Sequence, residues 1–184
     1  MKQISYNIIE QLLKKESFPR EIARELKTNP MSVIRCLHHL TNDNIVSFRQ
    51  VGKSKVYSLK KTQEAFAYAC IAEHNKRLKL FKKYPALAVL AEDILRSTSS
   101  GLIIIFGSYA KFNAKKDSDI DLYVETSDGK EKEKLEQIYS GLSVKTGLFD
   151  TESILMREIV KNHVILRGVE AYFGKIKVFD EAKA

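Results

Sequence analysis

Apolar residues recur at helical spacing through the first forty positions of the chain. A first amphipathic helix is predicted by the residues Ile4, Ile8, Ile9, Leu12 and Leu13. A second helix is expected with Ser17 as its N-cap and Pro19 in its first turn. Thr28 or Asn29 is expected to cap a third helix, in which Pro30 lies near the start. The pattern therefore predicts three short helices before residue 43.

The period then changes from helical to alternating. Residues 45–49 and 55–59 alternate apolar and polar side chains, which predicts two half-buried strands. Gly52 lies in the segment that joins them, so the two strands are expected to form a hairpin. Arg49, Lys53 and Lys55 give this hairpin a basic tip.

Three helices followed by a basic hairpin resemble a winged helix-turn-helix domain over residues 1–61. The resemblance implies that the third helix reads duplex DNA and that the hairpin presses on its backbone. On the third helix the candidate base-facing residues share the side away from the apolar stripe: Ser32, Arg35 and His39. Arg49, Lys53 and Lys55 are the candidate phosphate contacts, which add sequence-independent affinity. A role of this domain in protein contacts or dimerisation stays open.

Residues 62–100 are predicted to form a helical connector, because apolar residues continue at helical spacing. Pro85 is expected to end or kink the helix, since proline lacks the backbone donor that a helix interior needs. A polar turn over residues 97–101 ends the connector. This long helix could form a homodimer contact or pack within its own chain, and the sequence does not choose between the two.

The richest stretch of the sequence begins at residue 102. Leu102 to Phe106 is an apolar run that predicts a buried strand, and Gly107 and Ser108 follow it directly. Asp119 and Asp121 are expected on a second strand, where alternate side chains face the same side. Two neighbouring carboxylates suit a magnesium ion shared with a triphosphate. A Gly-Ser turn beside them lets backbone N–H groups approach phosphates, so the stretch predicts a metal and nucleotide site.

The segments Gly-Ser-Tyr-Ala-Lys at 107–111 and Ser-Asp-Ile-Asp-Leu at 118–122 resemble the signature of minimal nucleotidyltransferases of the polymerase-beta superfamily. The resemblance implies a nucleotidyltransferase domain over residues 101–184 and an α/β (α+β) fold class with a mixed sheet. It also implies that Gly107 and Ser108 hold the triphosphate, with help from Lys111. Asp119 and Asp121 would bind Mg²⁺ and act as catalytic residues.

The chain departs from the resembled pattern in two places. Phe112 stands where the family often has glycine. The family also uses a third carboxylate on a later strand, and the strand predicted at 142–149 has Lys145 near the expected place. Asp150 is the nearby candidate for the third catalytic acid. It equally suits the N-cap of a helix beginning at Thr151, so both roles stay open.

Composition indicates a globular protein and excludes several other classes. The chain has 184 residues, of which 44% are apolar and 29% charged, enough to bury a core. Its longest apolar run is shorter than the roughly 18 residues of a membrane span, and no signal-peptide pattern is seen, so a cytoplasmic protein without a membrane partner is expected. Cys36 and Cys70 lack metal-ligand spacing and predict no disulfide framework.

The net charge of +8 is unevenly distributed. Residues 1–62 carry 12 Lys and Arg against 5 Asp and Glu, whereas residues 101–184 carry 13 against 14. Such asymmetry points to a nucleic-acid contact in the N-terminal segment.

The leading functional prediction is Mg²⁺-dependent transfer of a nucleoside monophosphate from a nucleoside triphosphate, with ATP the first candidate. The acceptor is unidentified, with protein and RNA both open, and the reaction is expected to be coupled to binding of double-stranded DNA. One alternative is a DNA-binding transcriptional regulator whose nucleotidyltransferase fold only senses nucleotide. Another is an antitoxin-like partner of a second protein.

Overall fold

The computed structural model describes residues 2–180 of the chain. The helices in this range are α1 (Lys2–Leu12), α2 (Pro19–Glu25), α3 (Pro30–Asn42), α4 (Gln63–Lys83), α5 (Pro85–Ser97), α6 (Gly107–Ala110), α7 (Gly129–Glu136), α8 (Ile154–Lys161) and α9 (Val169–Ile176). The strands are β1 (Val46–Val51), β2 (Ser54–Leu59), β3 (Ile103–Phe106), β4 (Ile120–Val124), β5 (Leu142–Thr146) and β6 (Val164–Arg167). None of the helices in this range is both long and apolar enough to cross a membrane.

The described residues fall into two compact units. The first contains residues 2–75 together with 177–180, and the second contains residues 76–176. The division lies within α4, which is the first helix of the predicted connector at 62–100. Pro85 occupies the first position of α5, so the helical run is interrupted where the proline predicts.

In the first unit the three predicted helices and the hairpin are all present. Their apolar faces form a common core, in which the following residues are buried: Ile8, Ile9, Ile22, Val33, Leu37, Leu40 and Val56. Asn29 caps α3, and its side chain accepts a hydrogen bond from the Met31 N–H at 2.8 Å. Gly52 lies in the hairpin turn with a positive φ of 58°, a conformation that glycine adopts without strain.

The predicted N-cap of α2 is wrong. Phe18, and not Ser17, precedes the first helical residue, Pro19. Ser17 instead forms an antiparallel bridge with Tyr57, with both backbone N–H···O distances at 3.0 Å. The Ser17 backbone is therefore extended against β2, a long-range pairing that the local sequence pattern does not reveal.

The second unit is built around a mixed sheet with the strand order β5-β4-β3-β6. Strand β3 is antiparallel to β4 and β6, while β4 and β5 are parallel. The mixed sheet agrees with the predicted fold class.

One face of this sheet packs against helices. Buried strand residues Ile105, Leu122 and Val144 share a core cluster with Ile94 of α5 and Leu135 of α7. Because alternate strand residues point to opposite faces, Asp121 and Tyr123 of β4 point away from this core. Asp121 therefore lies on the other face of β4, where its neighbour Tyr123 is buried against Phe149.

Candidate functional site

Gly107 and the Asp121 carboxylate share one small space at the end of β3. Phe106, the last residue of β3, lies opposite Asp121 in the antiparallel register. Gly107 follows with a φ of +67°, in the left-handed region. A Cβ on Gly107 would overlap a carboxylate oxygen of Asp121 and lie 2.9 Å from its Cγ. Glycine is therefore required here both for its backbone conformation and for the room it leaves.

Asp119 lies one residue before β4 and not within the strand, so its predicted place on the strand is wrong by one position. It is exposed, whereas Asp121 is half-buried. The turn before it is held by Ser118, whose hydroxyl accepts a hydrogen bond from the Lys115 N–H at 2.9 Å. The two carboxylates remain electrostatically coupled, since Asp119 acts on the ionisation of Asp121.

The surroundings of Asp121 raise its pKa above the ordinary value for an aspartate. Burial is the largest cause, because it disfavours the charged form, and the negative charge of Asp119 adds to the effect. The positive charges of Lys145 and Lys111 oppose the rise, with Lys145 the larger of the two. A cation bound at Asp121 would compensate the energetic cost of burying its negative charge and would reduce the repulsion between the two carboxylates.

Ser108 and Lys111 belong to the turn that follows Gly107. Ser108 is half-buried, and its hydroxyl makes no hydrogen bond with the described part of the chain. Helix α6 has only four residues, so its dipole is too short to account for phosphate binding by itself. Lys111 forms an ion pair with Glu158 of α8 at 2.8 Å, and this hydrogen-bonded contact lowers the pKa of Glu158.

Phe112 directly follows Lys111, the C-cap of α6, and has a φ of +57° in the left-handed region. The Phe112 N–H donates to the Tyr109 carbonyl at 2.9 Å, and the Asn113 N–H donates to the Ser108 carbonyl at 3.1 Å. These two bonds form a Schellman motif, whose left-handed position is usually glycine. The Lys83 ammonium also donates to the Phe112 carbonyl. The structure thus gives a backbone reason why glycine is common at this position in the resembled family.

Strand β5 presents Ser143 and Lys145 on the same face as Asp121. Asp121 pairs with Ser143, and Tyr123 pairs with Lys145, in the parallel register. Paired residues and their second neighbours share a face, so the Lys145 side chain emerges on the same face as Asp121, one pairing step away. Lys145 is exposed and Ser143 is half-buried. The pairing partner of a strand is not encoded in its own pattern, which is why sequence reasoning noticed Lys145 without assigning it to the site.

Asp150 lies in an exposed turn between β5 and α8. Its carboxylate accepts a hydrogen bond from the Glu152 N–H at 3.0 Å. The predicted helix start at Thr151 is wrong, because α8 begins at Ile154 and Ser153 is its N-cap. Within residues 2–180 no group of three His, Cys, Asp or Glu side chains is arranged to hold a metal ion.

A network on the same face of the sheet fixes the segment that leads to Asp150. The Tyr123 hydroxyl donates to the Gly147 carbonyl at 2.8 Å. Glu125 accepts a hydrogen bond from the Phe149 N–H at 3.2 Å and pairs with Lys175 of α9 at 2.7 Å. Burial and the nearby Glu125 charge raise the pKa of Tyr123, so this phenol stays protonated and keeps its donor. Sequence reasoning did not identify Tyr123, Glu125 or Lys175.

The donor set of this site fits a magnesium ion. Mg²⁺ prefers oxygen ligands and is commonly held by one or two carboxylates together with substrate phosphates and water. Asp119 and Asp121 supply two carboxylates, and the half-buried charge of Asp121 favours a cation. Ser108 adds a hydroxyl that is free to contact a phosphate.

Comparison with known proteins bears on this part of the chain. Residues 91–168 match a family model described as polymerase beta, nucleotidyltransferase. The match supports a nucleotidyltransferase fold there. The matched stretch contains Gly107, Ser108, both aspartates and Lys145, and the match suggests nucleotidyltransferase activity in general. A comparison with curated proteins found no match for the chain.

The candidate DNA-binding residues lie in the first unit. On α3, Arg35 and His39 are exposed and Ser32 is half-exposed, while the opposite side of the helix is buried in the core. Met31 and Ile34 are exposed beside them, with 55% and 41% of their surfaces accessible. The exposed side of α3 therefore combines polar, basic and apolar side chains.

The three basic residues of the hairpin are in different environments. Strand alternation puts Arg49 and Lys55 on opposite faces of the hairpin, and Lys53 lies in the turn between them. Arg49 is paired with Glu16, with its Nε 3.3 Å from the carboxylate. Lys55 lies over the Phe48 ring at 3.9 Å from the centroid. Lys53 is exposed.

Proposed function

We propose that the chain is a Mg²⁺-dependent nucleotidyltransferase that transfers a nucleoside monophosphate from a nucleoside triphosphate to an acceptor hydroxyl. ATP is the first candidate donor. The observation that carries this proposal is the Asp121 carboxylate set against Gly107, with Asp119 beside it, inside the stretch that matches the nucleotidyltransferase family. A glycine in such close contact with a half-buried carboxylate is not expected on an acidic strand edge that is simply solvated.

The residues have distinct proposed roles. Asp119 and Asp121 hold the magnesium ion, and the Ser108 hydroxyl and the backbone at Gly107 contact the triphosphate. When bound, the ion would neutralise phosphate charge. It would thereby lower the free energy needed to deprotonate the attacking hydroxyl and to release pyrophosphate. Lys111 helps to attract the triphosphate, although its ammonium group is also paired with Glu158. Asp150 is the proposed third acid, although its carboxylate would have to leave its hydrogen bond with the Glu152 N–H.

Incubation with radiolabelled triphosphates, Mg²⁺ and cell extract tests the transfer reaction. A labelled acceptor that depends on Mg²⁺ is the expected result. The Asp119→Asn, Asp121→Asn double variant should produce none and should bind MgATP at least tenfold more weakly in calorimetry, because the metal ligands are lost. Asp117→Asn is the matched control, since it removes an exposed carboxylate of the same loop. Unchanged MgATP binding by the double variant would rule out this site.

The proposal couples the reaction to duplex DNA through an N-terminal winged helix. Three helices, a hairpin and the bridge between Ser17 and Tyr57 support that fold. The lysines and arginines within positions 1–62 attract the phosphates of the duplex. The exposed side of α3 is the proposed base-reading surface.

A nucleotide-sensing DNA-binding regulator is the second candidate. It is favoured by one observation: no third carboxylate joins Asp119 and Asp121 in a metal-binding group within the described chain, and Lys145 occupies the neighbouring strand position. Tight MgATP binding without any labelled acceptor, together with a nucleotide-dependent change in duplex affinity, would select this function over transfer.

A further inference from the structure

Lys145 carries a positive charge close to Asp121. Its side chain shares a face of the sheet with Asp121, one pairing step along the parallel register. It is exposed, and it makes no hydrogen bond or ion pair with other residues in the range 2–180. Lys111, the other lysine whose charge reaches Asp121, is already held by Glu158 at 2.8 Å. The two lysines therefore differ in how freely they can meet a ligand.

An ammonium group in this position has opposite effects on the two parts of a metal–nucleotide complex. It repels a bare divalent cation that approaches the carboxylates, since the charges have the same sign. It attracts the phosphates that accompany the cation in a nucleotide complex. Carboxylates without a nearby ammonium group would attract the metal ion and repel the phosphates.

We propose that Lys145 is a specificity-determining residue that makes the site select the metal–nucleotide complex over the free metal ion, by contacting a phosphate of the nucleotide. This inference rests on the proposed function, because it assumes that the aspartate pair binds a metal–nucleotide complex. It assigns Lys145 a role in ligand choice and not in holding the fold.

The Lys145→Ala variant tests the inference through two affinities that should move in opposite directions. Mn²⁺ alone, followed by loss of the free-ion EPR signal, should bind about threefold to fivefold more tightly to the variant, as expected for removing one partly solvated charge. MgATP, followed by calorimetry, should bind at least about fivefold more weakly, because a charged phosphate contact is lost. A merely structural lysine would weaken both or change neither.

Two further variants serve as controls. Lys145→Arg keeps the charge and should leave both affinities within about twofold of the unmodified chain. Lys130→Ala removes an exposed lysine from α7, a helix whose Leu135 packs on the other face of the sheet, and should change neither.

The possible outcomes separate this inference from the proposed function. If the unmodified chain does not bind MgATP, the proposed function fails and the inference fails with it. If the unmodified chain binds MgATP but Lys145→Ala gives no gain in Mn²⁺ affinity or no loss in MgATP affinity, only the inference is overturned. The inference is established if Lys145→Ala binds Mn²⁺ more tightly and MgATP more weakly, and Lys130→Ala changes neither affinity.

Discussion

The candidate DNA-binding surface and the candidate nucleotide site are built in different ways. On the first, most proposed contacts are exposed side chains on their own helix or hairpin, such as Arg35 on α3 or Lys53 in the turn. In the second, Gly107 and Asp121 depend on each other directly, because one leaves the space that the other fills. The first surface should tolerate single changes, whereas a side chain added at Gly107 should reduce both ligand binding and fold stability.

The two regions also differ in the sign and the burial of their charged groups. The N-terminal surface is rich in basic residues that cost the fold little because they are solvated. The nucleotide site holds a carboxylate whose burial disfavours its charge. Binding at the first surface is therefore expected to be additive and salt-dependent, while binding at the second should depend on a few coupled groups.

The largest predicted effect is on duplex binding. Replacing Arg49, Lys53 and Lys55 with Ala should weaken binding by about 10-fold to 100-fold at low salt and reduce the salt slope by about one to three, since each phosphate contact releases counterions. Gel-shift titrations over a salt series measure both quantities. Arg49 should contribute less than Lys53, because it is already paired with Glu16.

A charge-matched control for this test replaces Arg96, Lys130 and Lys161, all exposed residues of the second unit. Its duplex affinity and salt slope should stay close to those of the unmodified chain. An equal loss in both triple variants would mean that overall charge, and not the hairpin, determines binding. No duplex binding by the intact protein would remove the DNA-binding function altogether.

The next effect tests the interdependence of the nucleotide site. Gly107→Ala should destabilise the fold by about 2 kcal/mol or more, because its Cβ would overlap Asp121 and its φ is positive. MgATP affinity should fall in the same variant, since the carboxylate is displaced. Denaturant unfolding and calorimetry measure the two effects. Gly129→Ala, where an added Cβ meets nothing within 4 Å, is the matched control and should be close to neutral.

The smallest predicted effect concerns the stability cost of the Asp121 charge. Its folded-state pKa is raised, so the folded protein binds the proton more readily than the unfolded chain. Stability therefore falls as pH rises from the ordinary aspartate pKa through the raised one, and the loss is complete above that range. Without metal, Asp121→Asn should unfold at a temperature up to about 2 °C higher at neutral pH.

This advantage of Asp121→Asn should shrink as the pH is lowered below the ordinary aspartate pKa. Thermal unfolding of both proteins across that pH range measures it. Asp117→Asn serves as the control, because Asp117 is exposed in the preceding loop. An advantage for Asp121→Asn that does not change with pH would show that the buried charge is not its cause.

Local patterns predicted the elements of the first unit well. The helical spacing of apolar residues located α1, α2 and α3. Thr28 and Asn29 were both candidate caps of α3, because capping involves neighbouring backbone groups only, and the structure shows Asn29 in that role. The Ser17 N-cap was wrong because a bridge to Tyr57, forty residues away, sets the backbone there. The helix start expected at Thr151 was wrong for a local reason, since Ser153 competes successfully with Asp150 as the cap.

For the nucleotide site, the sequence by itself determined the residue types and their order: a strand, Gly107-Ser108, and two aspartates two positions apart. Only the tertiary structure decided that Gly107 makes room for Asp121, that Asp150 lies in a separate exposed turn, and that Lys145 shares a sheet face with Asp121. The physical reason is that strand pairing joins residues far apart in sequence, and a strand's own pattern specifies its faces but not its neighbours.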